Sequence, residues 1–159
     1  MGGWQPHSAD LRKGRFSYPG QYYFLTTSVA DRRPIFIDPG LAGIVLHTIR
    51  WLNSEDHFKV DAAVVMPDHL HIAGQLREKS LANVMHSLKS YTANKLSSTG
   101  VRAPVWQGGY HDHGLRHDED YRIKVRYVLQ NPVRAGLVGK VEDYPFLVLP
   151  DWWIQPAAL

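Results

Sequence analysis

Two spacings of apolar residues alternate along the chain, and they predict strands and helices in turn. Residues 22–29 are rich in β-branched and aromatic side chains, which is typical of a strand. Between residues 39 and 53 apolar side chains recur every three to four positions, which predicts an amphipathic helix. Residues 58–66 and 69–76 predict two further strands, and Pro67 between them favours a tight turn that would pair them antiparallel.

The second half of the chain continues this alternation and adds one element. An apolar stripe over residues 81–96 predicts a second long helix, and residues 110–116 predict a fourth strand. A final helix is expected to begin at the acidic run 118–120, where the helix dipole favours negative charge. It should end at Asn131-Pro132, because a residue before proline avoids helical angles.

The resulting order β-α-β-β-α-β-α predicts an α+β fold of the ferredoxin-like split βαβ type. Such a fold has a four-stranded antiparallel sheet with helices on one face. The second face is left free, and the extra C-terminal helix could pack there.

Length and composition indicate one globular domain. The chain has 159 residues, of which 44% are hydrophobic, enough to bury a core. We expect a single domain over residues 1–159, with a basic arm at 1–19 and a tail at 143–159 that could fold back over the domain. The absence of cysteine excludes disulfides and thiolate metal sites. The sequence shows neither a secretory leader nor a membrane span of about 18 apolar residues, so a cytoplasmic location is the default expectation.

The net charge is only +3, but the basic residues are concentrated where they could attract a phosphate backbone. They form an N-terminal group, a pair after the first strand and part of the final helix: Arg12, Lys13 and Arg15; Arg32 and Arg33; Lys124 and Arg126. Single strands also bind by stacking on aromatic rings, for which Trp4, Trp106 and Tyr110 are candidates. A solvated surface without a partner is the alternative, and charge alone leaves both open.

A histidine pair gives the first indication of chemistry. Side chains alternate along a strand, so His69 and His71 share one face while the leucine between them points into the core. Two neutral imidazoles in this arrangement can bind Mn, Zn, Ni or Cu, and a site completed by an amide and water would also accept Mg. Ordinary hydrogen bonding is the alternative. His111 and His113 have the same spacing, but Asp112 between them would then face the core, so the first pair is preferred.

The final helix places a tyrosine beside an amide. Ile123, Tyr127 and Asn131 are spaced by four residues and form one stripe, so Tyr127 and Asn131 point the same way. The amide oxygen of Asn131 could complete the metal site while the phenol of Tyr127 reaches the same place. A phenol is a weak nucleophile at neutral pH, but a nearby metal and local positive charge favour the phenolate. A packing role for this tyrosine is the alternative, and Tyr91 and Tyr121 are rival nucleophiles.

Several motifs in a fixed order carry a family resemblance over roughly residues 15–148. They are Val64-Val65-Met66-Pro67-Asp68-His69-Leu70-His71, His86-Ser87-Leu88-Lys89-Ser90-Tyr91, Val105-Trp106-Gln107 with Tyr110-His111-Asp112-His113, and Asp118-Glu119-Asp120-Tyr121-Arg122 through Tyr127 to Asn131-Pro132-Val133-Arg134-Ala135-Gly136-Leu137-Val138. With these motifs the chain resembles the HUH single-tyrosine transposases, and most closely the REP-associated tyrosine transposases.

The resemblance implies a function and a site. His69 and His71 would bind Mg²⁺ or Mn²⁺, Asn131 would be the third ligand, and Tyr127 would attack DNA to form a 5′-phosphotyrosine. Insertion-sequence relatives carry glutamine where this chain has the shorter asparagine. The implied substrate is single-stranded DNA folded as a hairpin, and the implied enzyme is an endonuclease and strand transferase that acts as a monomer or a homodimer.

Three other functions stay open from the sequence. The same fold could serve as a nucleic-acid-binding module without catalysis. It could be a metal hydrolase in which bound water, rather than tyrosine, attacks the phosphate. It could also be a structural metal domain or an interaction domain.

Overall fold

The computed structural model describes residues 17–115 and 120–153. Its centre is an antiparallel five-stranded sheet. The strands are β1 (Tyr22–Ser28), β2 (Phe58–Met66), β3 (His69–Leu76), β4 (His111–Gly114) and β5 (Leu147–Val148). Their order across the sheet is β4-β1-β3-β2-β5. The order of elements along the chain is that of the ferredoxin-like split βαβ fold, so the predicted fold class is confirmed.

Two long helices cover one face of the sheet. They are α1 (Pro39–Ser54) and α2 (Leu81–Ser98), each begun by a side chain that accepts backbone N–H bonds: Asp38 for α1 and Ser80 for α2. Their apolar sides join the inward residues of the strands in the larger core, whose members include Val45, Ile49, Leu70, Ile72, Val84 and Leu88. This core therefore lies between the sheet and the two helices.

A third helix, α3 (Tyr121–Leu129), packs on the opposite face and is followed by the short α4 (Asn131–Arg134). The Asp120 side chain caps α3 by accepting the backbone N–H groups of its first turn. The buried side of α3 meets the second face of the sheet in a smaller core, which includes Ala62, Val64, Ala73, Val125 and Leu129. The final helix thus fills the sheet face that the predicted fold left free.

The predicted boundaries hold for β2 and β3 and differ elsewhere. β4 is shorter than the predicted strand over residues 110–116, and position 116 lies outside the described residues. The predicted four-stranded count is wrong, because β5 adds a strand at the outer edge of β2. Only two residues of β5 pair with β2, too few to show an alternating pattern in the sequence.

A bulge in β2 positions the start of α3. The residues on either side of Asp61 pair with consecutive residues of β3, so Asp61 has no opposite partner. Its carboxylate accepts a hydrogen bond of 2.6 Å from the hydroxyl of Tyr121, the first residue of α3. The bulge therefore fixes the N-terminal end of the helix that carries Tyr127.

None of the helices in the described part of the chain is long and apolar enough to cross a membrane.

Candidate active site

His69 and His71 lie side by side on the sheet face that α3 covers. They alternate with Leu70, which is buried in the larger core on the other face. The centroids of the two imidazole rings are 4.8 Å apart, and the ring planes are perpendicular. The predicted sharing of one face is therefore present, and a single ion could contact both rings.

The ring of His69 is oriented by a neighbouring carboxylate. Its Nδ1 lies 2.6 Å from Asp68 Oδ1, and the other oxygen of Asp68 accepts a bond of 2.9 Å from Arg32 Nε. Arg32 also donates to the hydroxyl of Ser28. Burial raises the pKa of Asp68, but the hydrogen bonds from His69 and Arg32 outweigh it, so the pKa lies below its ordinary value. An ionised Asp68 can only accept, so Nδ1 of His69 carries a proton and Nε2 is the ring nitrogen left to face a metal.

The ring of His71 is held by the neighbouring strand. Its Nδ1 lies 2.9 Å from the hydroxyl of Thr26, which is its pairing partner on β1. Burial lowers the pKa of His71 to about 4, with further lowering by the positive charges of His69, Arg134 and Arg32. The ring is therefore neutral at physiological pH, which is the form that binds metals.

These contacts leave Nε2 of each ring available while the other nitrogen is occupied. Metal-binding histidines usually have such a partner on the second nitrogen, because it fixes the orientation of the ring. Among the described residues no group of three His, Cys, Asp or Glu side chains comes together at a metal site. A metal at this pair would need an amide or water as its other ligands, and such a mixed set fits the ions predicted from the sequence.

Tyr127 lies on the solvent side of α3. It is two positions from both Val125 and Leu129, about 200° around the helix from these buried residues, and its side chain is 66% exposed. The guanidinium of Arg134 lies 3.9 Å from the centre of the Tyr127 ring and donates to its backbone oxygen. The same guanidinium lowers the pKa of His71, so Arg134 connects the tyrosine to the histidine pair.

Asn131 is the first residue of α4 rather than the last turn of α3. Its amide nitrogen donates to the backbone oxygen of Val128 at 2.7 Å, which leaves the amide oxygen without a partner among the described residues. Gln130 separates the two helices but has helical angles, so the four-residue spacing from Tyr127 is kept approximately. The structure gives no direct contact between Asn131 and the histidines.

The predicted DNA-contacting residues have different environments. The side chain of Arg33 donates to the backbone oxygens of Ala30, Arg102 and Pro104, so it links the segment after β1 to the loop before β4. The guanidinium of Arg126 stacks on Trp152 and Trp153. Arg32 donates a hydrogen bond to the carboxylate of Asp68, as described above. Arg12, Lys13, Arg15 and Trp4 lie outside the described residues. Whether these residues and Lys124 bind DNA stays a prediction.

Two other predictions, the stacking role of Trp106 and the path of the tail, have a clear outcome in the fold. Trp106 is buried in the larger core, where its indole N–H donates to Thr92, so it offers no platform for a base. The tail folds back as far as residue 153, the last one described, since Trp152 packs against Arg122 as well as Arg126. These contacts place this part of the tail along α3.

The second histidine pair has a position that the sequence argument did not anticipate. His111 and His113 pair with Thr26 and Phe24 of β1, so both lie on the same sheet face as His69 and His71. Asp112 between them is only half-buried, because β4 is an edge strand of the described sheet. The expected cost of burying that aspartate is therefore reduced.

Sequence reasoning missed two side chains of this site. In the sequence Thr26 is only one residue of a β-rich run, and Arg134 is only one residue of the motif that follows Asn131. The alternation of β1 could have placed Thr26 on the histidine face, since strands pair in register. Arg134 lies beyond Asn131-Pro132, where the sequence predicts the helix to end, so its position beside Tyr127 could not be expected from helical spacing.

A ferredoxin-like sheet with a histidine pair on one strand, and a tyrosine-bearing helix on the same face, defines the class of the single-tyrosine transposases. The chain belongs to the IS200-like transposase family, whose model matches residues 17–130.

Two relatives illustrate the similarity. The chain is 28% identical over 134 residues to the REP-associated tyrosine transposase of Escherichia coli (strain K12), which covers 83% of this chain and 78% of that protein. It also shares its fold with a REP-associated tyrosine transposase whose structure was solved bound to a REP hairpin. That match has a TM-score of 0.70 and 23% identity, and covers 92% of this chain and 82% of the other. The predicted family and the predicted type of enzyme, a tyrosine transposase, are confirmed.

Proposed function

We propose that the protein is a metal-dependent endonuclease and strand transferase for single-stranded hairpin DNA, with Tyr127 as the nucleophile. The observation that carries this proposal is Arg134, which contacts the Tyr127 ring and acts electrostatically on His71. Membership in the IS200-like family supports the type of reaction. The hairpin bound to the structural relative supports the type of DNA.

In this proposal His69 and His71 would hold Mg²⁺ or Mn²⁺ through their Nε2 atoms, and Asn131 would supply its unpartnered amide oxygen. The metal would polarise the scissile phosphate. The chain prepares the pair for this role through Asp68 and Thr26, which occupy the opposite ring nitrogens. Asparagine is short, so α4 would need to approach β3 closely for a direct bond.

The covalent step uses the exposed phenol. The Tyr127 oxygen attacks phosphorus and loses its proton, the bond from phosphorus to the 3′-oxygen breaks, and that oxygen leaves as a 3′-OH. A 5′-phosphotyrosine remains, and the 3′-OH of another strand can reverse the step and join DNA. The positive charge of Arg134 over the ring attracts the phosphate to the phenol. Because the side chain is exposed, it can turn toward a strand bound at the histidines.

The test is covalent capture of a labelled hairpin oligonucleotide, with a single-stranded flank, in the presence of Mn²⁺. Tyr91→Phe is a matched control, since Tyr91 is also an exposed helical tyrosine but lies on α2, across the sheet. The wild type and Tyr91→Phe should form a denaturation-resistant adduct, whereas Tyr127→Phe should bind the hairpin but form none.

The same assay separates the other functions. An undiminished adduct from Tyr127→Phe would refute the choice of nucleophile. Cleavage without an adduct, retained by Tyr127→Phe, would indicate attack by water. Salt-sensitive binding without any cleavage would indicate a DNA-binding module.

A further inference from the structure

A small polar cleft lies next to the histidine pair, between the end of β1 and the loop that leads into β4. Its volume is about 50 Å³, and its lining includes Thr26, Ser28, Gln107, Gly108, Gly109 and His111. The lining contains no carboxylate. The cleft therefore offers hydroxyl, amide and imidazole groups that can donate hydrogen bonds, and it has no negatively charged side chain, so it suits an anion.

The cleft adjoins the candidate active site, because Thr26, which lines it, also contacts Nδ1 of His71. His71 pairs with Thr26, and Thr26 pairs with His111, so the three side chains form a row on one face. Adjacent strands lie about 4.8 Å apart, which puts the two histidines of the row roughly 10 Å from each other. His111 is exposed and has no hydrogen-bonding partner in the described part of the chain.

A lysine on α2 sets the orientation of the loop. Lys89 Nζ donates to the backbone oxygens of Gln107 and Gly109, each at 2.7 Å. In a trans peptide the N–H points opposite to the C=O, so the N–H of Gly108 is turned away from Lys89. Because α2 covers the opposite sheet face, this N–H points away from α2, and Gly108 lines the same cleft as His111.

The glycine pair is suited to an approaching anion. The N–H groups of Gly108 and Gly109 have no protein partner among the residues described. Gly109 has a φ of 77°, a left-handed conformation that other residues rarely adopt. Successive backbone N–H groups in such turns form anion-binding concavities. The ammonium of Lys89 behind the loop adds positive charge.

We infer that this cleft binds a backbone phosphate that flanks the scissile one on the same DNA strand. The N–H groups of the glycine pair and the imidazole of His111 donate to its oxygens. The inference rests on the proposed function for the identity of the strand. The cleft would fix the direction in which the strand leaves the histidine pair, beyond holding the scissile phosphate itself.

The test is a coupling measurement on DNA binding. Each phosphate of the bound hairpin oligonucleotide is replaced in turn by an uncharged methylphosphonate, and Kd is measured for the wild type, for His111→Ala and for His47→Ala. His47 is a matched control, since it is an exposed histidine on α1, across the sheet. One flanking replacement should weaken wild-type binding about three- to tenfold, the value of one hydrogen bond, and should have little further effect in His111→Ala. His47→Ala should behave as the wild type.

A second measurement does not depend on the correct hairpin. In ¹H–¹⁵N spectra the amide signals of Gly108 and Gly109 should shift on titration with the dinucleotide pTpT, while that of Gly100, at the far end of α2, should not. Absence of coupling at every phosphate, or unmoved glycine signals, would overturn the inference. Neither result depends on adduct formation, so a failed capture assay would refute the proposed function separately.

Discussion

The buried histidine of the pair makes the stability of the metal-free protein sensitive to mild acid. The pKa of His71 is lowered from 6.5 to about 4, first by burial and then by the charges of His69, Arg134 and Arg32. The unfolded chain therefore binds a proton at this site before the folded chain does. Stability is fully present above pH 6.5 and is lost as the pH falls toward 4. A difference of 2.5 pH units corresponds to about 3 kcal/mol, as 1.36 kcal/mol applies per unit.

The assay is urea unfolding in metal-free buffer between about pH 7.5 and about pH 4, for the wild type and for His71→Gln. Glutamine can still bond Thr26 but does not titrate, so the difference between the two curves isolates His71. The wild type should lose about 3 kcal/mol more than the variant over this range. The lowered pKa of Asp68 acts in a different window, since its contribution is present above about pH 4 and lost below. Parallel curves for the two proteins would refute the reasoning.

Two further predictions concern the metal and the second core. Asp68→Asn should weaken Mn²⁺ binding roughly 10- to 100-fold, because His69 loses the carboxylate that orients its ring. Calorimetric titration measures the Kd, and an unchanged Kd would show that this contact is dispensable. Leu129→Ala should lower the free energy of unfolding by about 2–5 kcal/mol, since this side chain is fully buried on the side of α3 that faces the sheet. The exposed Ile123→Ala on the same helix should stay within about 0.5 kcal/mol, and equal losses for both would contradict the described packing.

The parts of this molecule that were predictable from sequence are those with local signals. β2 and β3 were predicted with their observed ends, because an apolar run and a Pro67-Asp68 turn bound them. The break after Leu129 was expected from Asn131-Pro132, although the chain then forms one more helical turn. The position of the histidines on a shared face follows from strand alternation alone.

The parts that were not predictable depend on contacts between distant segments. β5 pairs through only two residues, and its position depends on how the chain returns after α4. Arg134 reaches Tyr127 because helical backbone resumes after Gln130, beyond the Asn131-Pro132 position where the sequence predicts the helix to end. The location of His111 in the same row as His71 requires the register of β4 on β1, and a short edge strand does not specify its register by pattern.

The bulge at Asp61 reverses the alternation of side chains between the two faces of β2. Phe58 and Val60 before it face the two long helices, whereas Ala62 and Val64 after it face α3, although all four positions are even-numbered. Removing one residue here would restore a regular alternation, so the side chains of one half of the strand would change to the opposite sheet face. The length of this strand is thus a stricter constraint than its composition, and a one-residue deletion there would disturb both cores at once.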